Sequence, residues 1–489
     1  MKKLLALVLA LLTLLPMIVA CQDAPEKPAD TTVADDGTKG PEETEDPYVA
    51  PAPKNDYKER IFTILSPTPY GKDQFDREEM TEETINDAIY TRNRELEAYF
   101  NIIIKSVEEG YSHDQATTFK PYLLSGEDTI DLIGVTTTQS GKPLITDNLV
   151  MPWNDVKYIN LDKEWWNKSI TNTLSVLGNA YYLSGDVNYN FMNNVMCTFF
   201  NKEVADVNKA IVGNPYELVN DGKWTFDTFN SMLKDLTRDN GDGVWDEKDT
   251  YAHLQYYHST EAWLYGANYQ TVRMTEDGPV MNIFTEKMQN IVNHVYNMLC
   301  VNHYSYIDGA ADGSQETLKT IFFENRALFF TTTLGSAAAW RDQETDFGIL
   351  PNPKYDEKQK EYKTYADQWG LVIGLPVTAT DTDRTGNILE VMCAWSNKYV
   401  RVAVYDKTLI GKGIRDDESE EMLDILFKGV LYDTGLTFAT ALDNQPLRSL
   451  VASQSNGLAS WWKGKQKPLT KIYQELFDHV KDQQAAAAA

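Results

Sequence analysis

The sequence predicts an α/β fold divided into two or more lobes. Short apolar runs alternate with stretches of helical spacing, which is the pattern of strands covered by helices. The part that carries this pattern runs from about residue 57 to 482, and roughly 425 residues exceed what one hydrophobic core usually serves. More than one core is therefore expected.

Residues 1–20 predict a lipoprotein signal peptide. Lys2 and Lys3 precede an apolar run to Ala20 that has the length of a signal peptide and is short for a membrane span. The run ends "IVAC", which resembles the bacterial lipobox, in which the cysteine becomes the first mature residue and carries the lipid. We predict lipidation of Cys21 and a location outside the cytoplasm, anchored to the cell membrane. A membrane-spanning segment is the alternative.

Residues 21–56 predict a disordered, acidic and proline-rich tether behind the lipidated cysteine. The segment holds too few large apolar side chains to offset the entropy of ordering it. At the other end, residues 483–489 predict a disordered tail. The formal net charge of −27 argues against a nucleic-acid partner and against electrostatic adhesion to anionic lipid.

Individual strands and helices can be assigned in chain order. "RIFTIL" (60–65), "NIIIKSVE" (101–108) and "TIDLIGVT" (129–136) predict the first strands, with a helix from Thr84 between the first two. Later strand candidates are "NAYYLSG", "VMCTFF", "ALFFTTTL", "FGILP" and "GLVIGLP", and helices cover them around Phe226 and in "NILEVMCAWSNKYV". Strands that alternate with helices predict a mainly parallel sheet in each lobe.

Several longer phrases resemble one family. They are "TINDAIYTRNRELEAYFNIIIKSVEE", "LDKEWWNKSITNTLSVLGNAYYLSGDVN", "NPYELVNDGKWTFDTFNSMLKDLTRDNGDG" and the stretch from "ENRALFFTTTLGSAAAW" to "GLVIGLPVTATDTDRTGNILEVM". In this order they resemble the extracellular solute-binding lipoproteins of ABC importers, in the carbohydrate-type (family 1) group. The resemblance spans about residues 61–392.

The resemblance implies a two-lobed, periplasmic-binding-protein-like (type II) fold with hinged lobes and a ligand cleft between them. By motif, the N-lobe comprises 57–170 and 368–415, and the C-lobe comprises 171–367 and 416–482. The implied function is capture of a carbohydrate, an oligosaccharide in particular, and its delivery to the permease subunits of an ABC transporter. The implied protein is a monomer without catalytic residues.

Binding residues are predicted from the strand ends and from the aromatic inventory. Open α/β sheets bind ligands at the carboxyl ends of their strands, and a sugar ring packs its C–H face on an aromatic plane while its hydroxyls bind polar groups. The chain has 11 Trp, 27 Tyr and 18 Phe, and Trp165 and Trp166 are interpreted as wall packing. The predicted ligand-binding residues are Tyr70, Thr137, Thr138, Asp186, Asn188, Tyr189, Trp263, Thr333, Ser336, Trp340 and Trp369.

The stretch "RDNGDGVWDEKD" (238–249) is similar to a calcium-binding EF-hand loop. Aligned on its glycine, the loop offers ligands at Asn240, Asp242, Val244, Asp246 and Asp249. Arg238 occupies the first ligand position, Asp239 is one residue out of register, and an aspartate replaces the bidentate glutamate. The loop is therefore compatible with a weak structural Ca²⁺ site or with turns held by Asx hydrogen bonds. No other cofactor is expected.

Catalytic motifs are absent from the sequence. The six histidines follow no metal-binding spacing, and no nucleophile elbow, P-loop or dinucleotide fingerprint occurs. We therefore predict a binding protein rather than an enzyme. The alternatives are a surface solute sensor or adhesin of the same fold, a peptide-binding protein, and a glycoside-active enzyme whose carboxylate pair no motif places.

Overall fold

A computed structural model describes residues 52–68, 71–111, 113–125, 129–309, 313–340, 342–367, 370–405, 417–439 and 444–489. The predicted signal peptide, Cys21 and nearly all of the tether lie outside the described residues. Residues from Tyr48 to Ala489 form one compact unit.

The strands, in chain order, are β1 (Arg60–Thr68), β2 (Ile102–Tyr111), β3 (Leu132–Val135), β4 (Val150–Met151), β5 (Tyr182–Leu183), β6 (Met196–Asn201), β7 (Tyr251–Tyr256), β8 (Val272–Thr275), β9 (Gly278–Met281), β10 (Ser305–Asp308), β11 (Ala327–Thr333), β12 (Phe347–Leu350), β13 (Thr364–Tyr365), β14 (Val372–Pro376) and β15 (Val430–Leu431). Every strand run quoted from the sequence contains or overlaps one of them.

The α-helices are Lys72–Phe75, Thr84–Phe100, Gln115–Thr118, Lys120–Leu123, Thr137–Thr146, Lys168–Leu174, Asn190–Asn193, Lys202–Val207, Lys209–Val212, Pro215–Asn220, Phe226–Leu236, Ala262–Gly266, Glu286–Tyr296, Glu316–Phe323, Ser336–Ala339, Thr382–Trp395, Val402–Tyr405, Asp417–Gly429, Thr434–Thr437, Pro446–Ala452 and Leu458–Ala488. A 3₁₀ turn covers Tyr257–Ser259, and π-helical turns cover Asn297–Val301 and Ser396–Arg401.

Two mixed sheets form the framework. The first has the order β2-β1-β3-β14-β4, with β5 also paired to β14, and the second has the order β10-β7-β11-β6-β12. In the first sheet β1 runs parallel to β2 and β3, whereas β14 runs antiparallel to its neighbours. In the second, β7 runs parallel to β10 and β11, whereas β6 runs antiparallel to β11 and β12.

Both sheets are mainly parallel, as predicted, and in the described part of the chain β14 and β6 are the strands that run against the others. Each begins beside the last residue of a parallel strand, since Val372 pairs with Val135 and Met196 pairs with Thr333. The chain thus enters each sheet at the edge where the parallel strands end, and the entering strand must run in the opposite direction.

Helices bury their apolar faces against both sheets. Thr84–Phe100 and Thr382–Trp395 pack together beside the first sheet, and a buried ion pair between Arg384 and Asp131 joins the second of these helices to the segment before β3. Phe226–Leu236 packs on β7 of the second sheet. The cysteines Cys197 and Cys393 are buried and form no disulfide.

The C-terminal helix Leu458–Ala488 includes residues that the sequence analysis treated as a disordered tail. Its last residues are alanines, which have the highest helix propensity. Just before them, Gln483 accepts a hydrogen bond of 2.7 Å from the hydroxyl of Tyr181, and Gln484 donates one of 2.9 Å to the carbonyl of Leu177. No helix in the part of the chain that the structure describes is both long and apolar enough to cross a membrane.

Candidate functional site

Loops of the first sheet converge on one edge. Because β1, β3 and β5 run in one direction and β14 runs against its neighbours β3 and β5, the residues after β3, before β14 and after β5 meet there. The side chain of Asn188, downstream of β5, donates a hydrogen bond of 2.7 Å to the carbonyl of Leu371, before β14. This bond fixes two of the three loops relative to each other.

The strand ends of the second sheet form a similar edge. The parallel strands β7, β10 and β11 end at Tyr256, Asp308 and Thr333. The hydroxyl of Tyr365, in β13, lies 3.3 Å from the carbonyl oxygen of His258 and donates to it. This edge therefore touches a strand that belongs to neither large sheet.

Segments that pass from one sheet to the other run side by side. Residues 184–195 connect β5 of the first sheet to β6 of the second, and the chain from β12 returns through β13 to β14. The two passages form a bridge between Val195 and Ala366, and β13 also pairs with β15. Few backbone strands thus join the two halves, which is the construction of a hinge.

A cavity of about 420 Å³ lies against the passage 184–195. Three aromatic side chains share its wall with three acidic and three basic ones. Its lining residues are Glu164, Trp166, Asn167, Lys168, Ser169, Ser184, Gly185, Asp186, Phe191, Met192, Arg401, Asp424, Phe427, Lys428 and Val430. Aromatic surface with a few placed polar groups is typical of small-molecule sites.

Asp186 is the buried carboxylate of this cavity. Its Oδ1 lies 3.3 Å from Nη1 of Arg401, and its Oδ2 accepts a hydrogen bond of 2.6 Å from the amide of Asn397. Burial raises the pKa of Asp186, and the charge of Arg401 opposes that rise. The pair presents an acceptor and a donor group side by side, which suits a ligand that carries hydroxyls.

Trp166 is fixed in the wall by a buried carboxylate on the helix Thr382–Trp395. Oε2 of Glu390 accepts a hydrogen bond of 2.8 Å from the indole of Trp166, and Oε1 accepts one of 3.2 Å from Trp165. Burial raises the pKa of Glu390 to about 7, and the two indole donors lower it. The Trp166 ring is therefore oriented before any ligand arrives.

A second, much smaller cavity of about 10 Å³ lies beside the short strands β13 and β15. Its lining residues are Thr137, Thr138, Tyr365, Ala366, Leu431, Tyr432, Asp433, Leu436 and Thr437. Tyr432 stacks on Phe191, with ring centroids 6.3 Å apart and an interplanar angle of 17°. Because Phe191 lines the larger cavity and Tyr432 the smaller one, the two cavities adjoin at this aromatic pair.

Solved structures with the same architecture are known, although no family model matches the chain and no curated protein matches it by sequence. Maltose-bound MalE3 of T. maritima shares 11% identity at a TM-score of 0.52, over 84% of this chain and 99% of that one. A family 1 extracellular solute-binding protein from Bifidobacterium longum subsp. infantis shares 13% sequence identity at a TM-score of 0.53, over 87% of this chain and 99% of that one. UgpB from Mycobacterium tuberculosis, in complex with glycerophosphocholine, shares 15% sequence identity at a TM-score of 0.54, over 85% of this chain and 98% of that one.

The chain has the two-lobed fold of the solute-binding proteins. The resemblance predicted from the sequence is confirmed at this level, together with the α/β class. In this fold the two strand-end edges described above face a cleft between hinged lobes. β5, which follows the predicted lobe boundary at residue 171, pairs with β14 of the first sheet.

The structure distributes the predicted binding residues over different environments. Tyr70 and Trp369 lie outside the described residues. Thr137 and Thr138 line the small cavity, and Asp186 lines the large one. Asn188 holds two loops together, as described, and Tyr189 is half-buried between Asp186 and Phe191 in the same passage. Thr333 and Ser336 lie at the end of β11, with their hydroxyl oxygens 3.5 Å apart.

Two predicted binding tryptophans occupy core positions. Trp263 is 2% exposed, packs edge-on against Phe226 and Phe229, and donates its indole N–H to Gln255 at 2.8 Å. Trp340 is 3% exposed and lies among the rings of Phe199, Phe322, Phe323, Phe330 and Phe347. Both fill the apolar layers on the second sheet, where nearby phenylalanines complete their packing.

Sequence reasoning missed several residues of the large cavity. Trp166 was interpreted as wall packing. The adjacent pair Trp165 and Trp166 was the sequence feature that could have indicated a cavity residue here. Arg401 carried no signal, because its partner Asp186 lies 215 residues away in the chain. Tyr432 in the small cavity was not identified because it follows a strand of only two residues.

The loop 238–249 is held by its own side chains. The carboxylate of Asp249 accepts hydrogen bonds from the backbone N–H groups of Asn240 and Asp246, each at 2.8 Å, and Asp239 accepts from Gly241 at 2.6 Å. The bond from Gly241 to Asp239, like those from Asp242 to Asn240 and from Val244 to Asp242, is an Asx turn of the kind that the sequence offered as the alternative. Among the described residues, no cluster of three or more His, Cys, Asp or Glu side chains is placed to hold a metal. Calcium at this loop stays a prediction.

Proposed function

We propose that the protein is an extracytoplasmic solute-binding protein that captures a carbohydrate, in particular an oligosaccharide, between its lobes. One observation carries the proposal: a cavity of about 420 Å³ with three aromatic rings and paired charges lies against a segment that joins the two sheets. Aromatic planes suit the C–H faces of sugar rings, and the polar groups suit their hydroxyls.

The ligands bound in two of the similar solved structures support this class of ligand. The T. maritima protein was solved with maltose, and a cyclo/maltodextrin-binding protein of 10% identity and TM-score 0.54 was solved with maltotetraose. The charges around the large cavity balance, since Glu164, Asp186 and Asp424 face Lys168, Arg401 and Lys428. A balanced wall favours an uncharged ligand over an ion.

The proposed mechanism is capture without chemistry. The solute contacts both lobes, and contacts that exist only in the closed form shift the population towards closure. The closed protein then delivers its solute to the permease subunits of an ABC transporter. Lipid at Cys21 and the tether 21–56 keep this monomer close to the transporter and raise its effective concentration. Partitioning of the mature protein into detergent, with loss of that partitioning in Cys21→Ala, tests the anchor.

Calorimetric titration and thermal unfolding test the ligand class. Glucose, maltose, maltotriose, raffinose and a set of tripeptides serve as probes. A ligand that binds only the folded protein raises its unfolding temperature, so we expect a rise with at least one saccharide and none with peptides. Recovery of the saccharide intact after incubation supports binding without hydrolysis. A rise with peptides alone would instead favour the peptide-binding alternative.

The variant Trp166→Ala tests the cavity itself. Loss of the aromatic wall is expected to weaken saccharide binding by about tenfold or more, because a buried aromatic contact contributes on the order of 1–2 kcal/mol. Trp462→Ala, on the C-terminal helix and not among the cavity residues, is the matched control and should bind as the wild type does. Equal affinity of the two variants would place the solute elsewhere.

A further inference from the structure

Two buried hydroxyl groups in the small cavity have no hydrogen-bond partner among the described residues. They are Oγ1 of Thr138, in a residue that is 1% exposed, and the hydroxyl of Tyr432, in a residue that is 4% exposed. Both residues line the cavity. Buried polar groups in folded proteins are nearly always paired, because an unpaired one has lost its water without gaining a replacement. Both hydroxyls therefore need a partner.

The backbone holds Thr138 in place at the edge of the first sheet. The helix Thr137–Thr146 is interrupted at its start, since Thr138 has ψ of 129° and Gln139 has φ of 71°. The backbone N–H of Gln139 donates to the carbonyl of Ala439 at 3.2 Å. A left-handed conformation at a residue other than glycine is costly and is found preferentially at functional sites.

Tyr432 is held by contacts of its own. Its ring stacks on Phe191, and its carbonyl accepts a hydrogen bond of 3.0 Å from the side-chain amide of Gln270. The stack on Phe191 orients the ring, and Tyr432 lines the small cavity together with Tyr365 and Leu431. The two unpaired hydroxyls thus come from distant segments of the chain.

The remaining charge in this cavity is already compensated. The carboxylate of Asp433 accepts from the backbone and hydroxyl of Thr271 at 2.9 and 2.6 Å, and from the backbone of Gly435 at 2.9 Å. Its charge is satisfied by these donors, so the groups left to bind a ligand are neutral. A neutral group that both donates and accepts is the complement of two hydroxyls.

We propose that the small cavity is a subsite for one hydroxyl group of the bound solute, with Thr138 and Tyr432 as its hydrogen-bonding residues. The proposal rests on the proposed function. A volume of about 10 Å³ holds a single oxygen-sized group but no sugar ring. The ring itself would lie outside, and the subsite would select solutes that place a hydroxyl at this depth over their deoxy analogues.

The variants Thr138→Val and Tyr432→Phe test the subsite. Each removes one hydroxyl and keeps the shape of the side chain, so the Tyr432 ring still stacks on Phe191. Thr385→Val is the matched control, because Thr385 is also buried with an unpaired hydroxyl but lies in the helix Thr382–Trp395, outside the lining of both cavities. The probe is the saccharide of the panel that binds the wild type most tightly, measured by calorimetry.

We expect the unliganded variants to unfold at or above the wild-type temperature, since an unpaired buried hydroxyl has been removed. We expect Thr138→Val and Tyr432→Phe each to bind the saccharide about tenfold more weakly, which corresponds to one lost hydrogen bond. Thr385→Val should keep the wild-type affinity. Analogues of the saccharide that each lack one hydroxyl should identify the group that enters the subsite. Removing that hydroxyl should weaken binding to the wild type but cause no further loss of affinity in the double variant Thr138→Val/Tyr432→Phe.

Three results would overturn the subsite. If the wild type binds a saccharide and both variants bind it equally well, the subsite is wrong and the proposed function stands. If the variants unfold at lower temperature without ligand and bind normally, the hydroxyls pair with a structural water. If the wild type binds no saccharide of the panel, the proposed function fails and the subsite fails with it.

Discussion

At the residue scale, Asp433 shows how a single buried carboxylate can organise the hinge region. Besides Thr271 and Gly435, its oxygens accept from the backbone of Val272 and from the hydroxyl of Tyr265, each at 3.3 Å. Burial raises the pKa of Asp433, and the donors from Thr271, Gly435 and Val272 lower it. One side chain therefore joins the start of β8 to the segment that follows β15.

Asp433→Ala should destabilise the folded protein strongly. The substitution leaves several buried donors unpaired, and losses of this kind reach about 3–5 kcal/mol. Asp433→Asn keeps one carbonyl oxygen and should lose less. Asp277→Ala, at an exposed position between β8 and β9, is the control and should remain within about 0.5 kcal/mol of the wild type. Urea unfolding measures all three, and equal stability of Asp433→Ala and the control would contradict this role.

Three buried titratable residues predict a stability maximum at mildly acidic pH. Burial lowers the pKa of His253 to about 3 and that of His294 to about 4. The unfolded chain therefore binds protons that the folded chain does not, and stability falls as the pH falls below about 6.5. Burial raises the pKa of Glu261 to about 8, so its contribution is present below about 4.3 and is lost as the pH rises towards 8.

Glu261→Gln separates these opposing effects. The amide cannot ionise, so the variant should lose less stability than the wild type between pH 5 and pH 8, by an amount on the order of several kcal/mol. The decline below pH 6.5 should remain, because both histidines are unchanged. Urea unfolding at pH 5, 6.5 and 8 measures the difference. Parallel stability curves for the two proteins would show that Glu261 ionises normally in the folded state.

The sequence could place Asp186 and Thr138 at strand ends because each follows an apolar run that forms a strand. It could not separate the cavity tryptophan Trp166 from the core tryptophans, because they differ in what packs around them. Trp340 is enclosed by five phenylalanines, whereas Trp166 keeps one face on a cavity. That difference depends on side chains from distant parts of the chain.

At the element scale, the passage 184–195 depends on a glycine. A Cβ atom at Gly185 would lie 2.6 Å from Sγ of Cys393, 2.7 Å from the carbonyl oxygen of Trp165 and 2.8 Å from Cε3 of Trp166. Two of these neighbours are a backbone atom and a fixed indole, so neither can move aside cheaply. The absence of a side chain lets the Trp166 ring lie directly against the passage.

Gly185→Ala should therefore lower both stability and saccharide affinity. Overpacking of this kind costs about 1–3 kcal/mol, and displacement of Trp166 alters the cavity wall. Gly464→Ala is the control, because Gly464 lies inside the C-terminal helix with open space around it, where alanine should stabilise by about 0.5–1 kcal/mol. Thermal unfolding and calorimetry distinguish the two. Unchanged affinity in Gly185→Ala would separate the passage from the binding site.

The strands with long apolar runs were predicted correctly, since β-branched and aromatic residues in such runs carry a strong local signal. The two-residue strands β13 and β15 were not predicted, because two residues carry no periodicity. Strand direction was also missed at β6 and β14. Direction is set by the sheet edge at which the chain arrives, and this depends on the path between lobes rather than on any local pattern.

At the scale of the whole molecule, the two sheets share few backbone connections. Contacts across the boundary are supplied by side chains near the hinge, such as the Phe191–Tyr432 stack and the bond from Tyr365 to His258. Chain length predicts more than one lobe. The hinge between the lobes was predicted from the resemblance of long sequence segments to one family. The exact residues at which each lobe begins stay a prediction.

Small-angle scattering of the compact unit Tyr48–Ala489, without the lipidated cysteine and most of the tether, tests whether the lobes move on binding. A compact body of this size has a radius of gyration of about 22 Å, and the open form should exceed it. We expect a saturating saccharide to reduce the radius of gyration, because the solute stabilises contacts that exist only when the lobes are closed. Trp166→Ala at the same saccharide concentration should show a smaller reduction, in proportion to its lower occupancy. A saccharide that binds tightly by calorimetry yet leaves the scattering curve unchanged would mean that the lobes are fixed, and capture by closure would have to be abandoned.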